Sequence, residues 1–278
     1  MPSYETPEPI TAVLEFEVGN VRITASKRQD TVIEVLPSNG TDDADVRVVQ
    51  QTNVTYANGT LTVKGPKKRG LFGKHGSIDV TVELPAGSHI RSTSPMGDYI
   101  CEGPLGECRV KTSLGDIRLD EAGSTNLRTS HGDIRVDRAE GNAEIYGAGR
   151  IDMGEIVGAA TVKNGNGETT IGEITGDLKV NSSNGRITVG VAHASVEAKS
   201  ANGAISVNDV ARGVIQLQTA VGDLEIGIRE STAAWLDVNS KFGTVRNALG
   251  AAEGPGASDQ TVEIHARTGV GDIVIRRA

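Results

Sequence analysis

The chain has 278 residues, of which 35 are glycine and only 3% aromatic, and its formal net charge is −8. That profile suits thin all-β coils with small interiors, and the acidic balance argues against nucleic acid or anionic membrane as a partner of the whole molecule. The opening MPSYETPEPI has neither a basic nor an apolar leader region and no run of 18 apolar residues occurs, so a cytoplasmic chain with no transmembrane segment is expected.

In chain order, ITAVLEFEV, NVRITA, TVIEVL, GTLTVK and SIDVTVEL alternate apolar and polar residues and are predicted strands. DADVRVVQQ between them reads as a short helix or as another strand. Residues 1–88 are therefore predicted to form an N-terminal β-strand cap, continuous with the strands after residue 88 and sealing their edge. Within it, KGPKKRGLFGKHGS at 64–77 is a Gly- and Pro-containing basic loop with no acid. Lys67, Lys68, Arg69 and Lys74, with the apolar Leu71 and Phe72, make it the candidate partner-docking site, against the plainer reading of a solvated loop. Cys101 and Cys108 fit neither a zinc pattern nor a C-x-x-C motif and read as two small, partly buried thiols.

From Gly97 onward glycine recurs at Gly115, Gly132, Gly149, Gly167, Gly185, Gly203, Gly222, Gly243 and Gly271, at intervals of 18, 17, 17, 18, 18, 18, 19, 21 and 28. Two and four residues after these glycines stand aliphatic pairs such as Ile117 and Leu119, Ile134 and Val136, Ile187 and Val189. A second apolar column precedes each glycine by five residues, through Val110, Leu127, Val162 and Val180. Period-two alternation on both sides of a fixed turn means two short strands per coil, with inward residues that only stacked coils can bury. Residues 89–278 are thus predicted to be a single-stranded parallel β-helix, a β-solenoid of 17–19-residue coils, with a Gly- and Pro-containing loop inserted at 251–260. Asn166, Asn184 and Asn202, each just before a glycine, should stack as an asparagine ladder with their side-chain amides joined. Trp235 is expected to pack against the solenoid, and the last coil, closing at Ala278, is expected to form its exposed end.

Asp98, Asp116 and Asp133 occupy one outward column, where three carboxylates could suit Ca²⁺, but Arg118 and Arg135 on the same face favour a salt-bridge lattice. His75, His89, His131, His193 and His265 are scattered, and no nucleophile elbow, Walker loop or H-E-x-x-H occurs. Neither catalytic residues nor cofactor nor metal is expected, and the chain reads as non-enzymatic.

The repeated T-S-x-G-D-I-x-L/V of residues 112–119 and its counterpart at 129–136, NSSNGRITV at 181–189 and the closing GVGDIVIRR together resemble a bacterial β-strand-repeat family of unknown function that carries the label "putative adhesin". The resemblance implies a solenoid of parallel coils with no known enzymatic activity. The sequence thus points to a cytoplasmic scaffold that engages a protein partner. Two alternatives stand beside it: a structural protein, bactofilin-like, that self-associates through its terminal coil, and an adhesin or a carbohydrate-binding or carbohydrate-cleaving β-helix.

Overall fold

The computed structural model describes residues 2–66, 76–249 and 260–278. The candidate docking residues Lys67, Lys68, Arg69, Leu71, Phe72 and Lys74 lie outside the described residues, as does the predicted loop insertion apart from Gln260. The chain is a parallel β-solenoid that divides into two compact units, Met1–Glu140 and Gly141–Ala278.

In the first unit one sheet runs, in spatial order, Ser3–Glu5, Asp30–Pro37, Ile78–Pro85, Gly19–Ser26, Tyr99–Leu105, Ile117–Ala122 and Ile134–Ala139. The facing sheet runs Asn53–Ala57, Thr60–Lys64, Thr11–Glu15, His89–Met96, Cys108–Leu114 and Thr125–Arg128. The chain alternates between the sheets, and each coil sits in register on the next, so that Ile117 meets Ile134 and Leu119 meets Val136. All four are buried. Stacking at about 4.8 Å makes each aliphatic column continuous, and each such side chain removed from water is worth roughly 1.5–3 kcal/mol.

Residues 10–85 contain two coils of the same kind, which the glycine spacing did not reveal. Thr11–Glu15 with Gly19–Ser26 lies against the coil of His89–Leu105, and Thr60–Lys64 with Ile78–Pro85 lies outside it. Between them in sequence come the antiparallel strands Asp30–Pro37 and Asn53–Ala57 and the helix Asp43–Gln51, an insertion that breaks the spacing. DADVRVVQQ is that helix. Asp42 caps it by accepting the Ala44 N–H at 2.9 Å, and Asp43 and Asp45 favour the positive end of its dipole. The buried Asp45 carboxylate also accepts the N–H groups of Asn39 and Ser77 at 2.9 and 2.8 Å, tying the helix to both flanking segments.

In the second unit one sheet runs Ile151–Ile156, Thr169–Ile174, Ile187–Ala192, Ile205–Val210, Leu224–Ile228, Ile273–Arg277 and Val245–Asn247. The other runs Ala143–Gly147, Ala160–Asn166, Leu178–Asn184, Val196–Asn202, Gly213–Val221, Gln260–Val270 and Thr232–Phe242. The coil that closes at Ala278 is therefore interior, with the coil of Thr232–Asn247 outside it. This corrects the expectation that Ala278 marks the exposed end. Within this interior coil Arg276 donates to Glu225 at 2.8 Å, and Arg277 to the carbonyls of Arg229 and Thr232 at 2.9 and 3.0 Å. The lengthened glycine intervals of 21 and 28 record the chain passing outward by one coil and then returning.

Candidate functional site

The corner glycines answer two demands at once. At Gly185 φ is +119°, and a Cβ there would lie 2.0 Å from the Gly167 carbonyl oxygen of the neighbouring coil. No L side chain fits so close an approach in that conformation. Gly115, Gly132, Gly167, Gly203 and Gly222 also have positive φ, whereas Gly149 is not among the positive-φ glycines.

Asn166, Asn184 and Asn202 share a register, but their side chains are exposed and the bonds that join them are main-chain. The Asn184 and Asn202 carbonyls accept from Gly167 and Gly185 at 3.1 and 2.9 Å. The polar side chains that do fasten the corner stand three residues before the glycine. Thr129, Thr219 and Thr268 donate to the carbonyls of Gly115, Gly203 and Gly222 at 3.0, 2.9 and 2.9 Å, and Asn164 donates to those of Gly149 and Gly167.

The outward aspartates bind backbone as well. Asp98 accepts the Asp116 N–H at 2.9 Å and Asp116 accepts the Asp133 N–H at 2.8 Å, so each carboxylate staples its coil to the next. Asp223 with Asp272, and Asp272 with Thr244, repeat the staple at 2.8 Å in the second unit. The Thr244 N–H holds the Asp272 carboxyl below its ordinary range. Among the described residues no group of three His, Cys, Asp or Glu side chains is placed to hold a metal. Cys101 and Cys108 are fully buried free thiols whose side chains interact; that contact, then burial, pushes the Cys101 thiol up. Tyr99 is buried as well, with its hydroxyl 2.9 and 2.8 Å from those of Ser92 and Ser94.

The coil of Thr232–Asn247 differs from all of these. Its inner side pairs in parallel with Gln260–Val270 and Ile273–Arg277, and among the described residues no strand pairs its outer side. Trp235 packs edge-on against His265 with ring centroids 5.5 Å apart, and Asp237 accepts from Arg267 at 2.6 Å. Ser240 donates to the Gly271 carbonyl at 2.7 Å. Those contacts fasten the coil on its inner side. Leu236 and Val238 are half-buried, although their register partners Ile264 and Ala266 are fully buried.

Trp235 is 58% exposed and Phe242 69%, so Trp235 touches the solenoid yet presents most of its surface to solvent. Of the nine exposed large apolar residues among those described, Val221, Trp235, Phe242, Val245 and Val270 all lie on this coil or the two beneath it. An unpaired strand edge and a local excess of apolar surface thus coincide. Sequence reasoning missed this site because the open edge belongs to a coil that is not the last in the chain. The longer interval to Gly271 was the one available signal.

These features define a class: a parallel β-solenoid with a corner of stacked glycines. The Toastrack DUF4097 family matches residues 12–277, and the chain belongs to it. Among solved structures the chain is similar to a "putative adhesin" from Bacteroides fragilis, at 15% identity over 99% of this chain and 95% of that one, with a TM-score of 0.42. A "putative adhesin" from Parabacteroides merdae matches at 13% identity over 100% and 95% of the two chains, with a TM-score of 0.37. A "putative lipid binding protein" from Parabacteroides distasonis matches at 11% identity over 100% and 95%, with a TM-score of 0.27. A comparison with curated proteins finds no match. No helix among the described residues is long and apolar enough to cross a membrane.

Proposed function

We propose that this chain is a non-catalytic scaffold that docks a protein partner by strand addition on the open coil Thr232–Asn247. The observation that carries the reading is that no strand among the described residues pairs the outer side of that coil, where Trp235, Phe242 and Val245 are exposed. An extended partner strand would satisfy the free backbone groups, while its inward side chains would cover Leu236 and Val238. A cytoplasmic location suits the two free thiols, since a reducing compartment keeps such a pair unlinked. The test is photo-crosslinking in cells with a reactive residue at position 242 or, as control, at the exposed Arg118. Crosslinks to one protein from position 242 alone support the scaffold; identical patterns from both positions sink it.

The register of the same coil favours a second reading, self-association. Antiparallel pairing of two copies about Val238 or Asn239 sets Lys241 opposite Trp235 or Asp237 of the second copy. Cation–π and ion-pair contacts would then join the edges. Light scattering across concentration separates the readings. Dimers that Val238→Lys dissolves favour self-association, and a strict monomer removes it.

A further inference from the structure

On the outer face of the first unit, the sheet that holds His89–Met96, Cys108–Leu114 and Thr125–Arg128 places two pairs of cations in register. Arg91 stands in direct register with Arg109, and Lys111 with Arg128. Like charges directly opposite across strands are destabilising. On the equivalent face of the second unit Lys179 is in register with Glu197 and bonds to it at 2.8 Å, and Lys199 bonds to the same carboxylate at 2.6 Å.

The acids on the first unit's face do not balance it. Glu107 is held by Arg109 at 2.5 Å, with Arg91 at 3.6 Å, and Glu15 lies 3.5 Å from Lys64. The Glu107 carboxyl is lowered chiefly by its bond to Arg109. Arg91, Arg109, Lys111 and Arg128 line a shallow groove of about 340 Å³ that also takes in Glu15, Thr93 and Asn126.

We propose that this groove binds an acidic, extended peptide segment of a partner protein. Arg109 and Lys111 are two residues apart on one strand, so their side chains leave the sheet about 6.8 Å apart, the spacing at which an extended peptide presents alternate side chains. The planar guanidinium forks of Arg91 and Arg109 match carboxylates, as their hold on Glu107 shows, and a peptide carboxylate would take the place of Glu107 there. Nucleic acid fits less well, since no aromatic side chain lines the groove to stack a base. The surface lies in a different unit from the open coil, and the inference stands apart from the docking reading made there.

The test is fluorescence anisotropy of the full chain with a labelled peptide of alternating Glu and Thr, its Gln–Thr counterpart and a single-stranded oligonucleotide, at low and high salt. The expected result is that the Glu–Thr peptide binds at low salt, that salt weakens it, and that Arg91→Glu with Lys111→Glu weakens it by at least about tenfold at unchanged thermal stability. Should that variant lose its fold, Arg91→Gln with Lys111→Gln is read instead. Equal binding of the Gln–Thr peptide, equal binding by a folded variant or no binding at low salt would overturn the proposal. Tighter binding of the oligonucleotide through the same residues would overturn it in favour of nucleic acid.

Discussion

At the scale of single residues, the glycine column is where sequence and stereochemistry agree most closely. Gly185→Ala places a methyl group 2.0 Å from the Gly167 carbonyl oxygen at φ +119°, and the neighbour that must yield is main chain rather than a flexible side chain. The expected cost is at least about 2 kcal/mol, read as a lower urea midpoint, because both the conformation and the approach are then strained. A control is Gly40→Ala, where a Cβ meets nothing within 4 Å and the midpoint should hardly move. The spacing of the glycines was legible from the sequence. Their reason, a carbonyl of the next coil in the space a Cβ would take, was not, since it depends on the stacking distance.

At the scale of the coil, the aspartates beside the glycine corner join one coil to the next by binding backbone. The aspartate column looked in sequence like a lattice of ion pairs with Arg118 and Arg135. In the structure Asp98 and Asp116 instead accept the main-chain N–H of the following coil, and Arg118 and Arg135 stand in register with each other. Sequence alone did not distinguish the two, because a carboxylate beside a turn serves either purpose. Asp272 shows the consequence for pH. Its folded-state pKa is depressed by the Thr244 N–H, so the stability it lends is present above the ordinary carboxylate value and is lost as pH falls through the lower, folded value. Thr244 belongs to the open coil, so acid below the ordinary carboxylate range should loosen that coil. Trp235 is the only tryptophan and lies on it, which makes its fluorescence the natural reporter. Asp272→Ala should show the loosened signal already at neutral pH.

For the whole molecule, the order of coils in space departs from their order in the chain near both termini. Coil 11–26 lies inside coil 60–85, and coil 260–277 lies inside coil 232–247. The two positions predict different costs for similar substitutions. Ile264→Ala in the interior coil should cost about 2–5 kcal/mol, whereas Leu236→Ala, in register with it on the open coil, should cost clearly less in the same urea titration. Equal costs would show that something covers the outer coil. Periodicity in the sequence by itself determined the parallel two-strand coil, the aliphatic columns and the glycine corner, because these are local features repeated in nearly every unit. Only the tertiary structure decided which coil is last, which face gathers like charges and where apolar surface stays exposed. Those depend on which strands become neighbours, and an insertion or an outward crossing changes the neighbours without changing the pattern within any strand.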